Sequence, residues 1–354
     1  MGNLISAVRL PGVQVCTSSN KLFALTYSAL IDHAKLLREV IAHPEMTKEG
    51  TTLDYFIKQY CIRMQNDEMG TSYQQWLLPW QIDWIWHVHR LHPVAYFHDC
   101  TTQLPNNELV DKKYVRIESS DQRKWSFFDE STPKSNGVTF NPSFDLAKAV
   151  VRQSKFLEKF QNHALYHQKN ILSKHIDLSS FEANVQNYVS FLKLAKKDTI
   201  IVPTFEIDLL WHTHMRYPSF YREATIDLCG FLLDHNDSID QQTLEKLYRE
   251  TADRWETTYN SKYGQIANQE QLLKNFSLTS CAMVRKRHEK MVEDNRKYII
   301  LCGGCSTIKS KSTEADDSGG FDRFEDGDCV IYVAEDGGGS LGGCGGGCGG
   351  CGGD

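Results

Sequence analysis

The chain has 354 residues, of which 41% are hydrophobic and 24% are charged, and its formal net charge at pH 7 is -6. This composition is typical of soluble globular proteins, leaves room for two domains, and does not indicate nucleic acid as a main partner. No apolar run reaches the roughly 18 residues of a membrane span, and the N-terminus has no secretory h-region, so a cytoplasmic location is predicted.

The N-terminus raises the question of a lipid anchor. The chain begins M-G-N-L-I-S, which fits the pattern for N-myristoylation of Gly2. One myristoyl chain binds membranes only weakly, on the order of 10⁴ M⁻¹, so acylation would give weak membrane association. The alternative is an unmodified flexible terminus over residues 1–20.

A repeated motif is the strongest feature of the sequence. Residues 78–96 read L-P-W-Q-I-D-W-I-W-H-V-H-R-L-H-P-V-A-Y, and residues 202–221 read V-P-T-F-E-I-D-L-L-W-H-T-H-M-R-Y-P-S-F-Y. Trp and His are rare residues, so the repeated D-x-x-W-H-x-H indicates an internal duplication. The motif residues are Asp83, Trp86, His87 and His89 in the first copy, and Asp208, Trp211, His212 and His214 in the second.

Helical geometry separates two interpretations of this motif. Each copy predicts one helix, and at about 100° per residue the shared positions fill one arc of roughly 160°. The Asp and the first His are four residues apart, so the carboxylate can accept a hydrogen bond from the imidazole. The two His are two apart and lie at opposite edges of the arc, where they do not converge on one ion. The favoured interpretation is a buried network that holds each helix in place; a metal or catalytic centre and a ligand pocket are the alternatives.

The helical periodicity continues on both sides of the motifs. It predicts a mainly α protein with two related helical units, each built around one D-x-x-W-H-x-H helix. The predicted segments are a flexible N-terminus over 1–20, a first unit with its connector over 21–142, a second unit over 143–268, a basic helix over 269–301, and an acidic and Gly/Cys-rich tail over 302–354. Residues 21–43 predict one long amphipathic helix. The tail cannot bury a core and is predicted to be mostly disordered, with 329–333 as a lone strand.

Cysteine spacing in the tail gives a second metal hypothesis. Cys302 and Cys305 form a C-x₂-C pair, and Cys344, Cys348 and Cys351 form C-x₃-C-x₂-C. Soft thiolates select Zn²⁺, so a zinc site on these residues is one interpretation. The other is a Gly/Cys repeat whose thiols stay reduced in the cytosol.

Several segments together resemble a known family. They are 144–154 (F-D-L-A-K-A-V-V-R-Q-S), V-P-T leading into I-D-L-L-W-H-T-H, W-E-T-T-Y ahead of Tyr263 and Gly264, and the first motif followed by Tyr96, Asp99 and Cys100. These segments are similar to the glycine-rich domain-containing protein family of plants, fungi and other eukaryotes. Its helical region is a domain of unknown function, so the resemblance implies a helical architecture and a Gly/Cys-rich end, and no chemistry. The second motif departs from the family where Tyr217 replaces the usual His before Pro218.

Three functional hypotheses follow from the sequence. The favoured one is a non-enzymatic interaction or scaffold protein with protein partners, because no nucleophile-base set, phosphate loop or convincing metal triad is evident. The second is a metal-binding protein or metal-dependent enzyme that uses the paired Asp/His/His motifs; its cofactor is left open, with Zn²⁺ as one candidate. The third is a peripheral membrane adaptor anchored through Gly2.

Overall fold

The computed structural model describes residues 12–16, 22–116, 137, 139–168, 178–264, 281–283 and 329–332. The described part of the chain is mainly α-helical, which confirms the predicted fold class. Its helices are α1 Tyr27–Ala42, α2 Thr51–Gln65, α3 Ser72–Leu77, α4 Trp80–Arg90, α5 Pro93–Gln103, α6 Leu146–Arg152, α7 Ser154–Gln161, α8 Ala164–His167, α9 Leu178–Leu194, α10 Phe205–Met215, α11 Pro218–Cys229 and α12 Gln241–Tyr259, with a short 3₁₀ helix at Pro44–Thr47. The strands are β1 Gly12–Cys16, β2 Leu22–Thr26, β3 Asp234–Asn236, β4 Cys281–Met283 and β5 Cys329–Tyr332.

Each motif forms one helix that ends just before a proline. The first motif lies on α4 and the second on α10. Pro93 and Pro218 occupy the first turns of α5 and α11, where the missing N–H leaves no intrahelical bond unmade. Thr204 caps α10, because its hydroxyl accepts a hydrogen bond from the backbone N–H of Ile207. Local sequence chemistry therefore marks the end of each motif helix and the start of α10.

The strands near the N-terminus correct three predictions. Residues 12–16, assigned to a flexible terminus, form β1, which pairs antiparallel with β2 and parallel with β5. β2 occupies the start of the predicted helix over 21–43, and β5 is therefore not a lone strand. The period-two pattern explains β2, since Phe23 and Leu25 are buried while Ala24 between them is exposed.

The basic segment also needs a correction where the structure describes it. The sequence predicts a helix over 269–301, but Cys281–Met283 forms β4 and pairs antiparallel with β3. Such pairing joins distant parts of the chain, and helical periodicity does not reveal it. The rest of that segment lies outside the described residues.

Helix α1 is central to the packing, because it contacts both motif helices, α4 and α10. α2 packs on α4, and α9 packs on α10. The largest fully buried side chains include Trp84, Trp86 and Trp211. None of the helices that the structure describes has both the length and the apolar character that crossing a bilayer requires. The grouping of these helices into two related units stays a prediction.

Candidate metal centre and the motif helices

The first motif tryptophan is held by a chain of two hydrogen bonds. Trp86 Nε1 donates to the Tyr96 hydroxyl at 3.0 Å, and this hydroxyl donates to the Val110 carbonyl at 2.8 Å. All three residues are buried. The two bonds fix the extended segment after α5 against α4.

The second motif has the same two hydrogen bonds at matched distances. Trp211 Nε1 donates to the Tyr221 hydroxyl at 2.9 Å, and this hydroxyl donates to the Leu233 carbonyl at 2.8 Å. Here the tyrosine fixes the start of β3 against α10. Each motif therefore positions a following chain segment through one Trp–Tyr–carbonyl chain.

The second histidine of each motif is a structural residue. His89 Nδ1 lies 2.8 Å from the Tyr60 hydroxyl, and its Nε2 lies 3.1 Å from Asp99. His214 Nδ1 lies 2.9 Å from the Tyr188 hydroxyl. Burial lowers the pKa of His89 and lowers that of His214 to about 3, so both imidazoles are neutral at pH 7. These histidines fasten α4 to α2 and α10 to α9.

Removing a tyrosine hydroxyl tests this fastening. We expect Tyr188→Phe to lower the free energy of unfolding by about 1–3 kcal/mol, because it leaves the buried His214 Nδ1 without this partner. Urea denaturation measures the loss. The control is Tyr73→Phe, at a side chain that is 67% exposed, which we expect to change stability by less than about 0.5 kcal/mol. Equal stability of the two variants would contradict the role of His214.

The carboxylate of the first motif lies in a buried cluster of ion pairs. Asp83 Oδ2 lies 2.8 Å from Lys112 Nζ and 3.1 Å from guanidinium nitrogens of Arg116 and Arg216. The Oδ1 atom lies 3.5 Å from Arg90. Burial alone would raise the pKa of Asp83, but these cations outweigh it and hold the pKa well below the usual range.

A second carboxylate shares the same cations. Asp32, on α1, lies 2.9 Å from Arg216 and 3.6 Å from Lys112, and it accepts a hydrogen bond from the Arg116 backbone N–H at 2.8 Å. Burial lowers the pKa of Lys112 to about 8, although the two carboxylates act in the opposite direction. The cluster joins α1, α4, the segment after α5 and the end of α10.

The predicted hydrogen bond between Asp83 and His87 is therefore wrong. Among the described residues, neither ring nitrogen of His87 has a hydrogen-bond partner, although the ring is fully buried. The Lys112 amine and the guanidinium groups of Arg116 and Arg216 bind the Asp83 carboxylate instead, because charged donors bind it more strongly than a neutral imidazole does. Burial and the charge of neighbouring groups, His33 first and then Arg216, lower the pKa of His87 well below its ordinary value.

The first histidines of the two motifs lie in one cluster with His33 from α1. The ring centroids of His33 and His87 are 4.7 Å apart, and that of His212 is 6.0 Å from His87. Thr213 donates its hydroxyl proton to the Leu209 carbonyl, so its oxygen accepts from His33 Nδ1 at 2.9 Å. His33 Nε2 is then a lone-pair acceptor, and it has no partner within the described part of the chain.

The second motif carboxylate lies beside two imidazoles. His212 Nε2 is 3.3 Å from Asp208 Oδ1, and His235 Nε2 is 4.0 Å from the same oxygen. The two Nε2 atoms are 3.0 Å apart. One ligand atom from each of the three residues lies within 4.8 Å of the others, and all three side chains are buried. The Nδ1 atoms of both histidines have no hydrogen-bond partner among the described residues.

This arrangement has the donor set of a transition-metal site. Two imidazole nitrogens and one carboxylate oxygen are ligands that Zn²⁺ takes in proteins. A ligand imidazole must be neutral, and burial, followed by the neighbouring His212, lowers the pKa of His235 to about 3. His235 can therefore serve as a ligand without first losing a proton, beside the carboxylate of Asp208 and the imidazole of His212.

The structure divides the predicted site residues into groups. It brings Asp208 and His212 together and adds His235, which the sequence analysis did not predict. His235 lies 23 residues after His212 and reaches it because Tyr221 anchors the start of β3. No spacing signal in the sequence marks that approach. His89 and His214 point to tyrosines, and Asp83 binds protein cations. Gly2 and the tail cysteines Cys302, Cys305, Cys344, Cys348 and Cys351 lie outside the described residues.

Comparisons with known proteins support the sequence resemblance. Residues 106–224 match the family model described as glycine-rich domain-containing protein-like. Glycine-rich domain-containing protein 1 of Arabidopsis thaliana is 29% identical over 214 residues, which cover 52% of this chain and 25% of that protein. Glycine-rich domain-containing protein 2 of the same plant is 28% identical, with 52% and 26% covered. The matched region thus spans about a quarter of either relative. No solved structure matches the chain.

Proposed function

We propose that this chain, which is similar to the glycine-rich domain-containing protein family, is a metal-binding protein that holds one divalent transition-metal ion on Asp208, His212 and His235. The observation that carries the proposal is the convergence of three buried ligand atoms within 4.8 Å. We expect Zn²⁺ first, because many zinc sites have three protein ligands that are imidazoles and carboxylates.

The polar atoms of the site support an ion more than an empty core. The Nε2 atoms of His212 and His235 lie 3.0 Å apart and both lie near Asp208, so their positions suit joint coordination of one ion. An ion at this place would take the two Nε2 atoms and one carboxylate oxygen as its ligands.

The burial of the site favours a structural ion in an interaction protein. His212 and His235 are each 1% exposed and Asp208 is fully buried, so a macromolecular or large substrate has no path to the ligands. An ion there would fasten α10 to β3 and stabilise the helical body. Protein partners would then bind elsewhere on the chain, as the favoured sequence hypothesis has it.

Elemental analysis of the purified full-length chain tests the metal proposal. We expect about one equivalent of zinc or another first-row ion, and the loss of that ion in Asp208→Asn and in His235→Gln. The matched control is His163→Gln. His163 is partly buried and pairs with Glu206, which lies on α10 together with Asp208 and His212. This control should keep the ion, and circular dichroism should show helical content like the wild type in all variants.

Two results would reject the proposal. One is wild-type protein, purified without chelators and supplied with Zn²⁺, that carries no bound ion. The other is an ion that stays in Asp208→Asn and His235→Gln but is lost when Cys302, Cys305, Cys344, Cys348 and Cys351 are replaced by Ser, since that result would move the metal to the tail.

A further inference from the structure

β1 lies between two strands that come from different parts of the chain. The order in the sheet is β2-β1-β5. β2 pairs antiparallel with all five residues of β1 and leads directly into α1, which Thr26 caps. β5 belongs to the acidic tail, and its four residues, 329–332, pair parallel with β1. One edge of β1 is therefore covered by the helical body and the other by the tail.

The body holds β1 in place through contacts that do not include β5. Val13 and Val15 are buried and pack in the main core with Phe23 and Leu25 of β2. The Phe23 ring stacks on the His214 ring at a centroid distance of 5.0 Å. β1 would therefore keep its extended backbone if β5 left. Its outer edge would then present backbone N–H and C=O groups, and such an edge is a template for another extended segment.

We infer that this outer edge of β1 is a docking site for an extended peptide, and that residues 329–332 occupy it as a tethered strand that such a peptide can displace. The partner is a peptide segment, since strand addition uses backbone hydrogen bonds for affinity. The site is separate from the metal proposal, because Asp208, His212 and His235 lie on other elements.

The sequence of β5 suits a strand that binds and leaves. Residues 329–333 read C-V-I-Y-V, and Val, Ile and Tyr favour strands. Acidic residues stand on both sides, Asp328 before and Glu335 after, so charge limits the pairing to a short stretch. Four paired residues at the edge of a sheet give little stability by themselves. The tether compensates, because a strand in the same chain acts at an effective concentration on the order of 1 mM.

The register of β1 and β5 indicates what a partner peptide must offer. Val13 stands opposite residue 329 and Val15 opposite residue 331, whereas the partly exposed Gln14 stands opposite residue 330. Side chains alternate between the two faces of a strand, so the first and third positions of the peptide share the face on which the two valines are buried. We therefore expect a partner to need apolar residues at these two positions and to tolerate polar residues at the second and fourth.

Disulfide formation in the full-length chain tests the register. Neighbouring strands lie about 4.7–4.9 Å apart, and a disulfide joins Cα atoms about 4.4–6.8 Å apart. Val13→Cys should therefore form a bridge with Cys329 within one molecule under mild oxidation. The matched control is Val15→Cys, whose Cα should lie about 8 Å from that of Cys329 and which should form no such bridge. Mass spectrometry of proteolytic fragments identifies the bridges.

Peptide binding tests the docking site itself. Consecutive residues of a strand direct their N–H groups to opposite edges, so one of Val330→Pro and Ile331→Pro removes a donor that faces β1. The full-length double variant should lose β5 from the edge and keep the helical circular dichroism of the wild type. In reducing buffer, a labelled peptide D-C-V-I-Y-V-A should bind it at least about tenfold more tightly than it binds the wild type, where the tethered strand competes. The control is Gly337→Pro with Gly338→Pro, in the same tail, which should bind the peptide like the wild type.

Three results would overturn the inference. One is equal bridging of Cys329 by Val13→Cys and Val15→Cys, since β5 would then have no fixed register on β1. Another is a bridge that joins two molecules, because the strand would then come from a second copy of the chain. The third is equal affinity of the double proline variant and the wild type for the peptide.

Discussion

Replacement of Arg216 by Met is expected to lower the free energy of unfolding by about 3–5 kcal/mol. Arg216 is 1% exposed and pairs with Asp32 at 2.9 Å and with Asp83 at 3.1 Å. Methionine preserves much of the side-chain length but removes a charge that two buried carboxylates share. The loss is large because those carboxylates remain buried with less compensation. Urea denaturation followed by circular dichroism measures the change.

A surface ion pair provides the control for Arg216→Met. Lys246 lies 3.9 Å from Glu250 on α12, and its side chain is 79% exposed. Water screens such a pair, so Lys246→Met should leave the unfolding midpoint unchanged within error. An unfolding midpoint for Arg216→Met equal to that of Lys246→Met would show that the buried cluster does not hold α1, α4 and α10 together.

Acid is expected to unfold the protein over a pH range set by its buried histidines. An unfolded histidine takes up a proton near pH 6.5. In the folded chain burial lowers the pKa of His214 to about 3 and lowers that of His89 as well. The unfolded state therefore binds more protons between these values, so stability is fully present above about pH 6.5 and is lost as the pH falls toward 3. Each such histidine contributes a slope of up to about 1.4 kcal/mol per pH unit.

The contribution of one histidine can be isolated with His214→Asn. The asparagine amide can retain a hydrogen bond to the Tyr188 hydroxyl but does not titrate. Between pH 6 and 4 we expect the free energy of unfolding of His214→Asn to fall less steeply than that of the wild type. The difference in slope should correspond to about one proton. The measurement is made with chelator present throughout, so that release of an ion does not contribute. Identical slopes for the two proteins would mean that His214 is protonated in the folded state.

The sequence predicted those parts of the motif helices that depend on neighbouring residues. Helical spacing placed His87 and His89 on different sides of α4. In the structure the His87 ring contacts the His33 ring, whereas His89 forms a hydrogen bond with Tyr60. The prolines placed the helix ends. These features depend on geometry within a few residues, where 100° per residue is a sufficient guide.

The ionic and metal sites depend on contacts that span the chain. Arg216 belongs to the second motif yet pairs with Asp83, which is 133 residues away. His33 reaches Thr213 across 180 residues. His235, on β3, reaches His212, on α10, across 23 residues. Helical periodicity contains no information on such approaches. It therefore predicts the same partner for Asp83 and Asp208, although Asp83 pairs with cations and Asp208 lies beside imidazoles.

The span of Arg216 also bears on how the chain acquires its structure during synthesis. Asp83 leaves the ribosome 133 residues before Arg216 does, an interval of roughly 7–27 s at ordinary rates of elongation. During that time Asp32 and Asp83 cannot form their ion pairs with Arg216. The nascent first half therefore stays incompletely folded during this interval. A chaperone that shields it until α10 has been synthesised would raise the yield of folded protein.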